Sequence, residues 1–158
     1  MKKRFALIFV LMLTLVLCAC GGEEAENEGN LAQMANPMVP SSFEEVRDTV
    51  GTVPLVPADA EDTSWYVING VLGEVQFTLN GRAYCSRVQK TDTEQDISGM
   101  YFSEPICVDS NNPFNVTVEG NGSMACATWF DDGFSYAVCT DGDCDLAEFE
   151  AMVSGLFR

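Results

Sequence analysis

The stretch VQFTLNGRAYCSR, Val75 to Arg87, constrains the fold more than any other part of the chain. Val75, Phe77 and Leu79 alternate with Glu74, Gln76 and Thr78, and Asn80-Gly81 follows, a pair that tolerates positive φ and closes a two-residue turn. Such a turn sets Leu79 opposite Arg82, Phe77 opposite Tyr84, Gln76 opposite Cys85 and Glu74 opposite Arg87. Aromatic and aliphatic groups then share one face, and Glu74 and Arg87 pair across the other. A second hairpin follows the loop around Asn111 to Pro113. FNVTVEG alternates through Phe114, Val116 and Val118, and SMACATWF and FSYAVCT flank Asp131, Asp132 and Gly133. A two-residue turn at Asp132-Gly133 places Trp129 opposite Tyr136, Ala127 opposite Val138 and Cys126 opposite Cys139.

Helical periodicity occurs at both ends of this β-rich stretch. In SSFEEVRDTVG, Ser42 and Glu45 have capping-box spacing, Phe43, Val46 and Val50 form one stripe, and Gly51 stops the run. In DLAEFEAMVSGLF, Asp145 and Glu148 repeat the spacing and Leu146, Phe149, Met152, Val153 and Leu156 supply the stripe. TVPLVP, with Pro54 and Pro57, reads as extended chain or an edge segment. The expected object is one α+β domain over residues 41–158. Its antiparallel sheet has about five to seven strands, one face of which is packed against a short N-terminal helix and a C-terminal helix. A β-sandwich with peripheral helices is the alternative.

Ahead of this domain, Lys2, Lys3 and Arg4 precede an apolar run from Phe5 to Leu17 broken only by Thr14. That is the pattern of a secretory signal, and the run falls short of the roughly 20 residues a membrane span needs. Leu17, Cys18, Ala19 and Cys20 resemble the lipobox of bacterial lipoproteins; Cys18 fails as the modified residue because Leu17 before it is too large for the cleavage subsite. The resemblance implies a signal peptide over residues 1–19, diacylglycerol with palmitate-type chains on Cys20, and acylation of the new amine. The partner is then a lipid bilayer, at the outer, extracytoplasmic face of a bacterial cytoplasmic membrane. Residues 20–40, polar and acidic, read as a tether.

Removing residues 1–19 takes three of the eight basic residues and none of the 24 acids, leaving a net charge of −19. Such a field opposes nucleic acid and bare anionic lipid and favours cations and basic peptides.

Five cysteines remain beyond Cys20: Cys85, Cys107, Cys126, Cys139 and Cys144. In an oxidising compartment pairing is expected. The hairpin register favours Cys126 with Cys139, the short loop TDGD offers Cys139 with Cys144, and Cys85 with Cys107 is a further possibility; one thiol is left over. No CxxC pair and no paired zinc knuckles occur.

The chain has no histidine, which removes the commonest general base and every histidine-dependent triad. Asp131 with Asp132, or Glu104 with Asp109, could serve a carboxylate-dependent glycan hydrolase of the cell envelope. Yet Asp132 is already explained as a turn residue, and a non-enzymatic reading is preferred. Asp141, Asp143 and Asp145 have the opening spacing of a calcium loop, but Leu146 and Met152 stand where its glycine and closing acid belong, so only an irregular calcium site is conceivable. No cofactor is expected.

Arg87, QDISGMYF at 95–102, FNVTVEG, ATWFDDGFSYAV and the final amphipathic helix together resemble a group of small lipoproteins from Gram-positive, clostridial-type gut bacteria. The resemblance covers residues 36–157, and the number of cysteines here departs from it. It implies a single extracytoplasmic domain and attaches no catalytic role to any residue. DISG itself reads as a tight turn, with the Asp96 carboxylate accepting local donors; a ligand site formed by Arg87, Asp96, Ser98 and Tyr101 is the functional alternative. The reading as a whole is a membrane-anchored binding or interaction module whose partner is an envelope protein or wall component.

Overall fold

The computed structural model describes residues 37–109 and 116–157. The expected lipobox around Cys20, most of the expected tether, the loop at Asn111 to Pro113, Phe114 and Asn115 lie outside them. The described chain is an α+β domain: β1 (Met38–Ser41), α1 (Phe43–Val50), β2 (Glu61–Ile68), β3 (Leu72–Leu79), β4 (Arg82–Lys90), β5 (Ile106–Asp109), β6 (Thr117–Gly120), β7 (Met124–Asp131), β8 (Phe134–Asp141) and α2 (Leu146–Gly155).

All eight strands join one antiparallel sheet in the order β1-β2-β3-β4-β8-β7-β6-β5. Two four-strand meanders therefore meet at the β4–β8 seam. Both tight turns set the expected registers: Leu79 faces Arg82 and Glu74 faces Arg87, while Trp129 faces Tyr136 and Cys126 faces Cys139. Asn80 and Gly81 have φ of 52° and 75°, and Asp132 and Gly133 have 46° and 82°, the left-handed conformations such turns demand. The sheet is wider than expected. The additional strands are short ones at its edges: β1 precedes the expected domain start and pairs with β2, and β5 pairs only with β6. The TVPLVP segment is irregular and lays Leu55 and Val56 against the core.

Both helices cover the same face. α1 begins with a complete capping box, Ser42 Oγ accepting from Glu45 N while Glu45 accepts from Ser42 N, and ends at left-handed Gly51. α2 is capped by Asp145, whose carboxylate accepts from the amides of Ala147 and Glu148. Beneath them lies a core in which Phe77, Tyr84 and Phe149 stack in succession and Trp129 stacks on Tyr136. Each helix crosses the sheet over a glycine. A Cβ on Gly73 would stand 2.7 Å from Val46, and one on Gly120 would overlap Leu146.

Candidate functional site

The opposite face of the sheet is half covered by the segment joining β4 to β5. Residues 91–102 cross it as a strap that is hydrogen-bonded at successive points. At its start, Thr91 N donates to Gly133 O at 3.0 Å, and the Thr91 and Ser135 hydroxyls meet at 2.8 Å. The Gln95 amide also donates to Ser135 Oγ, at 2.9 Å. In its middle, Arg87 donates to the carbonyls of Ile97 and Ser98. Its far end packs Ile97, Met100 and Phe102 on Cys85, Cys126, Ala137 and Cys139.

Arg87 organises this arrangement. Its Nε donates to Glu74 Oε2 at 2.7 Å, and the other Glu74 oxygen accepts from Gln76 Nε2 at 2.8 Å. Glu74 is only 2 % exposed, so it is a buried carboxylate that holds a half-buried cation, whose Nη1 donors go to the strap. The DISG turn has the expected local chemistry: Asp96 Oδ1 accepts from Ser98 N, and Ser98 Oγ accepts from Met100 N. Arg87 and Ser98 come together as a structural latch. Tyr101, 85 % exposed, lines a cavity with Asp96 and Ser98 whose walls do not include Arg87.

Two cavities flank the strap. The larger, about 390 Å³, lies over β3, β4 and β8 and is lined by Gln76, Cys85, Met100, Cys139 and, among its acids, Asp62 and Asp141. Asp62 lies in a bulge of β2, between Glu61 and Ser64, and has φ of 52°; bulges of this kind re-aim a side chain. The smaller, about 230 Å³, is lined by Asp96, Ser98, Tyr101, Glu119, Cys126 and Thr128.

The cysteines correct one expectation. All five are free thiols. Cys126 and Cys139 are cross-strand neighbours as expected, but their sulfurs stand 3.6 Å apart, well beyond the bond length of about 2.05 Å. The reason lies in the register: Cys139 faces Cys126 on one side and Cys85 on the other, so it sits between two sulfurs and is bonded to neither. Cys139 with Cys144 fails because Cys144 lies in the helix-covered core, within reach of Arg82, on the other side of the sheet. Cys85 with Cys107 fails because β4 and β5 are four strand positions apart, about 19 Å at the usual spacing. Hydrogen bonding to the Cys126 and Cys85 thiols, with burial, pushes Cys139 up. Cys85 is held below the ordinary thiol range by Cys139 and by the Arg87 guanidinium.

The acids weighed in the sequence are dispersed. Asp131 and Asp132 are exposed at a hairpin tip, Glu104 is exposed in the loop before β5, and Asp109 ends that strand. Asp145 is spent as a helix cap, Asp141 ends β8, and among the described residues no group of three or more His, Cys, Asp or Glu is disposed to hold a metal ion. No described helix is long and apolar enough to cross a membrane. Sequence reasoning missed Asp62, because nothing in EDTSWYVI marks the bulge, and missed the pairing of Asp141 with this cavity, because the strap that walls it is an irregular segment.

No family model matches the chain, and no curated protein or solved structure matches it.

Proposed function

We propose that the chain is a binding module, presented on the outer face of a bacterial membrane by acylated Cys20 and its tether. In this reading the cavity beside the strap takes a small ligand bearing a cationic group, such as an amine or a basic peptide side chain. The observation that carries the reading is the cavity of about 390 Å³ lined by Gln76 and by two exposed acids, Asp62 and Asp141. A concave site with a few convergent polar groups is where small ligands bind. The formal charge of −16 over the whole chain draws cations toward it. No catalytic set is assembled there, so capture and not turnover is the expected outcome.

The test is calorimetric titration of the full chain with a short polyamine and with a lysine-containing peptide, at low and high salt. Binding that weakens with salt and drops in the Asp62→Asn, Asp141→Asn double variant supports the reading; binding indifferent to both substitutions refutes it. The anchor is tested separately. Cys20→Ala should release the protein from the membrane fraction of a bacterial host, and Cys18→Ala should not.

A further inference from the structure

Three thiols occupy consecutive strands at one level of the sheet. Cys85 on β4, Cys139 on β8 and Cys126 on β7 are in register, on the face crossed by the strap, and the nearest sulfur separations are 3.6–4.3 Å. Met100 packs against the same row and lines the larger cavity beside Cys85 and Cys139. Cys126 and Cys139 are buried, Cys85 is half-buried, and Cys85 and Cys139 line the larger cavity.

This is an unusual thing to build. A sulfur trio in a β-sheet fills space no better than valine or alanine, and free buried thiols in a chain expected to face an oxidising compartment carry a chemical liability. Thiolate and thioether together are the donors that select soft cations, above all Cu(I). The row cannot serve zinc, which needs about four ligands converging in a tetrahedron, in keeping with the absence of any converging group of three among the described residues. Two-coordinate binding has a different requirement. A metal–sulfur bond near the roughly 2.3 Å of zinc thiolates, doubled in a line, spans about 4.6 Å, a little beyond the upper separation seen here.

We propose that the sulfur row is a binding site for a soft monovalent cation, Cu(I) in biological terms, held between Cys85 and Cys139 with Met100 above them. The step balances without redox change: two S–H bonds break, two Cu–S bonds form, and two protons leave to solvent. Cys85 opens to the cavity and gives the ion its entry path. The site does not depend on capture of an amine by Asp62 and Asp141.

The experiment uses the reduced full chain carrying Cys18→Ser and Cys20→Ser, under anaerobic conditions with no amine present, titrated with Cu(I) against a competing chelator. One retained equivalent is expected, with sulfur-only, low-coordinate copper in its X-ray absorption spectrum. Cys139→Ser should weaken binding by more than the roughly 10–100-fold typical of changes outside the ligand shell, while Cys107→Ser, an exposed thiol at the sheet edge, should leave it unchanged. Should Cys139→Ser not fold, wild-type protein alkylated with and without Ag(I) gives the same answer: silver should shield half-buried Cys85 from a reagent that labels it in the silver-free protein, while exposed Cys107 is labelled in both. No retained copper, retention lost equally in Cys107→Ser, or no shielding of Cys85 by silver would overturn the proposal.

Discussion

Glu74 and Arg87 show how one residue pair can decide the state of a whole face. Taking a carboxylate to 2 % exposure costs several kcal/mol of hydration, and only a close partner with its remaining hydrogen bonds made offsets that cost. Here Arg87 and Gln76 supply those bonds, and Arg87 in turn holds two carbonyls of the strap. Glu74→Ala leaves the guanidinium unpaired beneath the strap and is expected to destabilise the fold by about 3 kcal/mol, read from urea unfolding. Limited proteolysis should then cut within residues 91–102 first. Glu74→Gln, which keeps an acceptor for Arg87, should lose less. The thiols give a prediction in pH. Cys139 and Cys144 are both raised from the ordinary value of 9.0, Cys139 mainly by its sulfur neighbours and Cys144 mainly by burial. The folded state therefore keeps protons that the unfolded chain loses near pH 9, and the stability they contribute below that pH disappears as pH rises. Cys85, which is lowered, acts with the opposite sign. The urea midpoint should fall between pH 7.5 and 10, and less steeply in Cys144→Ser, which removes the thiol raised mainly by burial; a flat profile would contradict this assignment of the thiol environments.

Element by element, the parts legible in the sequence are those whose geometry is dictated locally. Asn80-Gly81 and Asp132-Gly133 impose both hairpin registers because few residues accept positive φ, and Ser42 with Glu45 marks the start of α1 through bonds made within one turn. β1 was not legible, since MVPS contains a proline, follows acidic polar chain and becomes a strand only by pairing with β2. The strap was not legible either. Its place is decided by Arg87, whose bonds to it follow no local pattern, and by Ser135, about 40 residues further along the chain, and although the Glu74–Arg87 pair was readable from the turn, the burial of Glu74 was not. The two glycines under the helices belong to the same class of long-range information. Gly120→Ala pushes a methyl group into Leu146 and against the Met124 carbonyl oxygen and should cost about 1–3 kcal/mol as overpacking. Combining it with Leu146→Ala should cost less than the sum of the two single changes, a coupling that a double-mutant cycle in thermal or urea unfolding measures.

On the scale of the whole molecule, the sheet could be read as two independent meanders, each with its own helix, α1 over β2 to β4 and α2 over β5 to β7. The core argues otherwise. Phe77 and Tyr84 of the first meander stack toward Phe149 of α2, and Val75, Phe77 and Tyr84 belong to the same buried group as Trp129, Val138 and Val153. The strap strengthens this union from the other side, since it leaves β4, bonds to Ser135 of β8 and is gripped by Arg87 of β4. Neither half buries its apolar face alone, and cutting the β4–β8 seam exposes two sheet edges that would seek other partners. A chain ending at Lys90 is thus expected to show no cooperative unfolding and to aggregate, whereas residues 36–158 should unfold in a single transition with coincident fluorescence and circular dichroism curves. Two separate transitions, or a folded fragment ending at Lys90, would mean that the seam joins domains and that the shared aromatic stack contributes little.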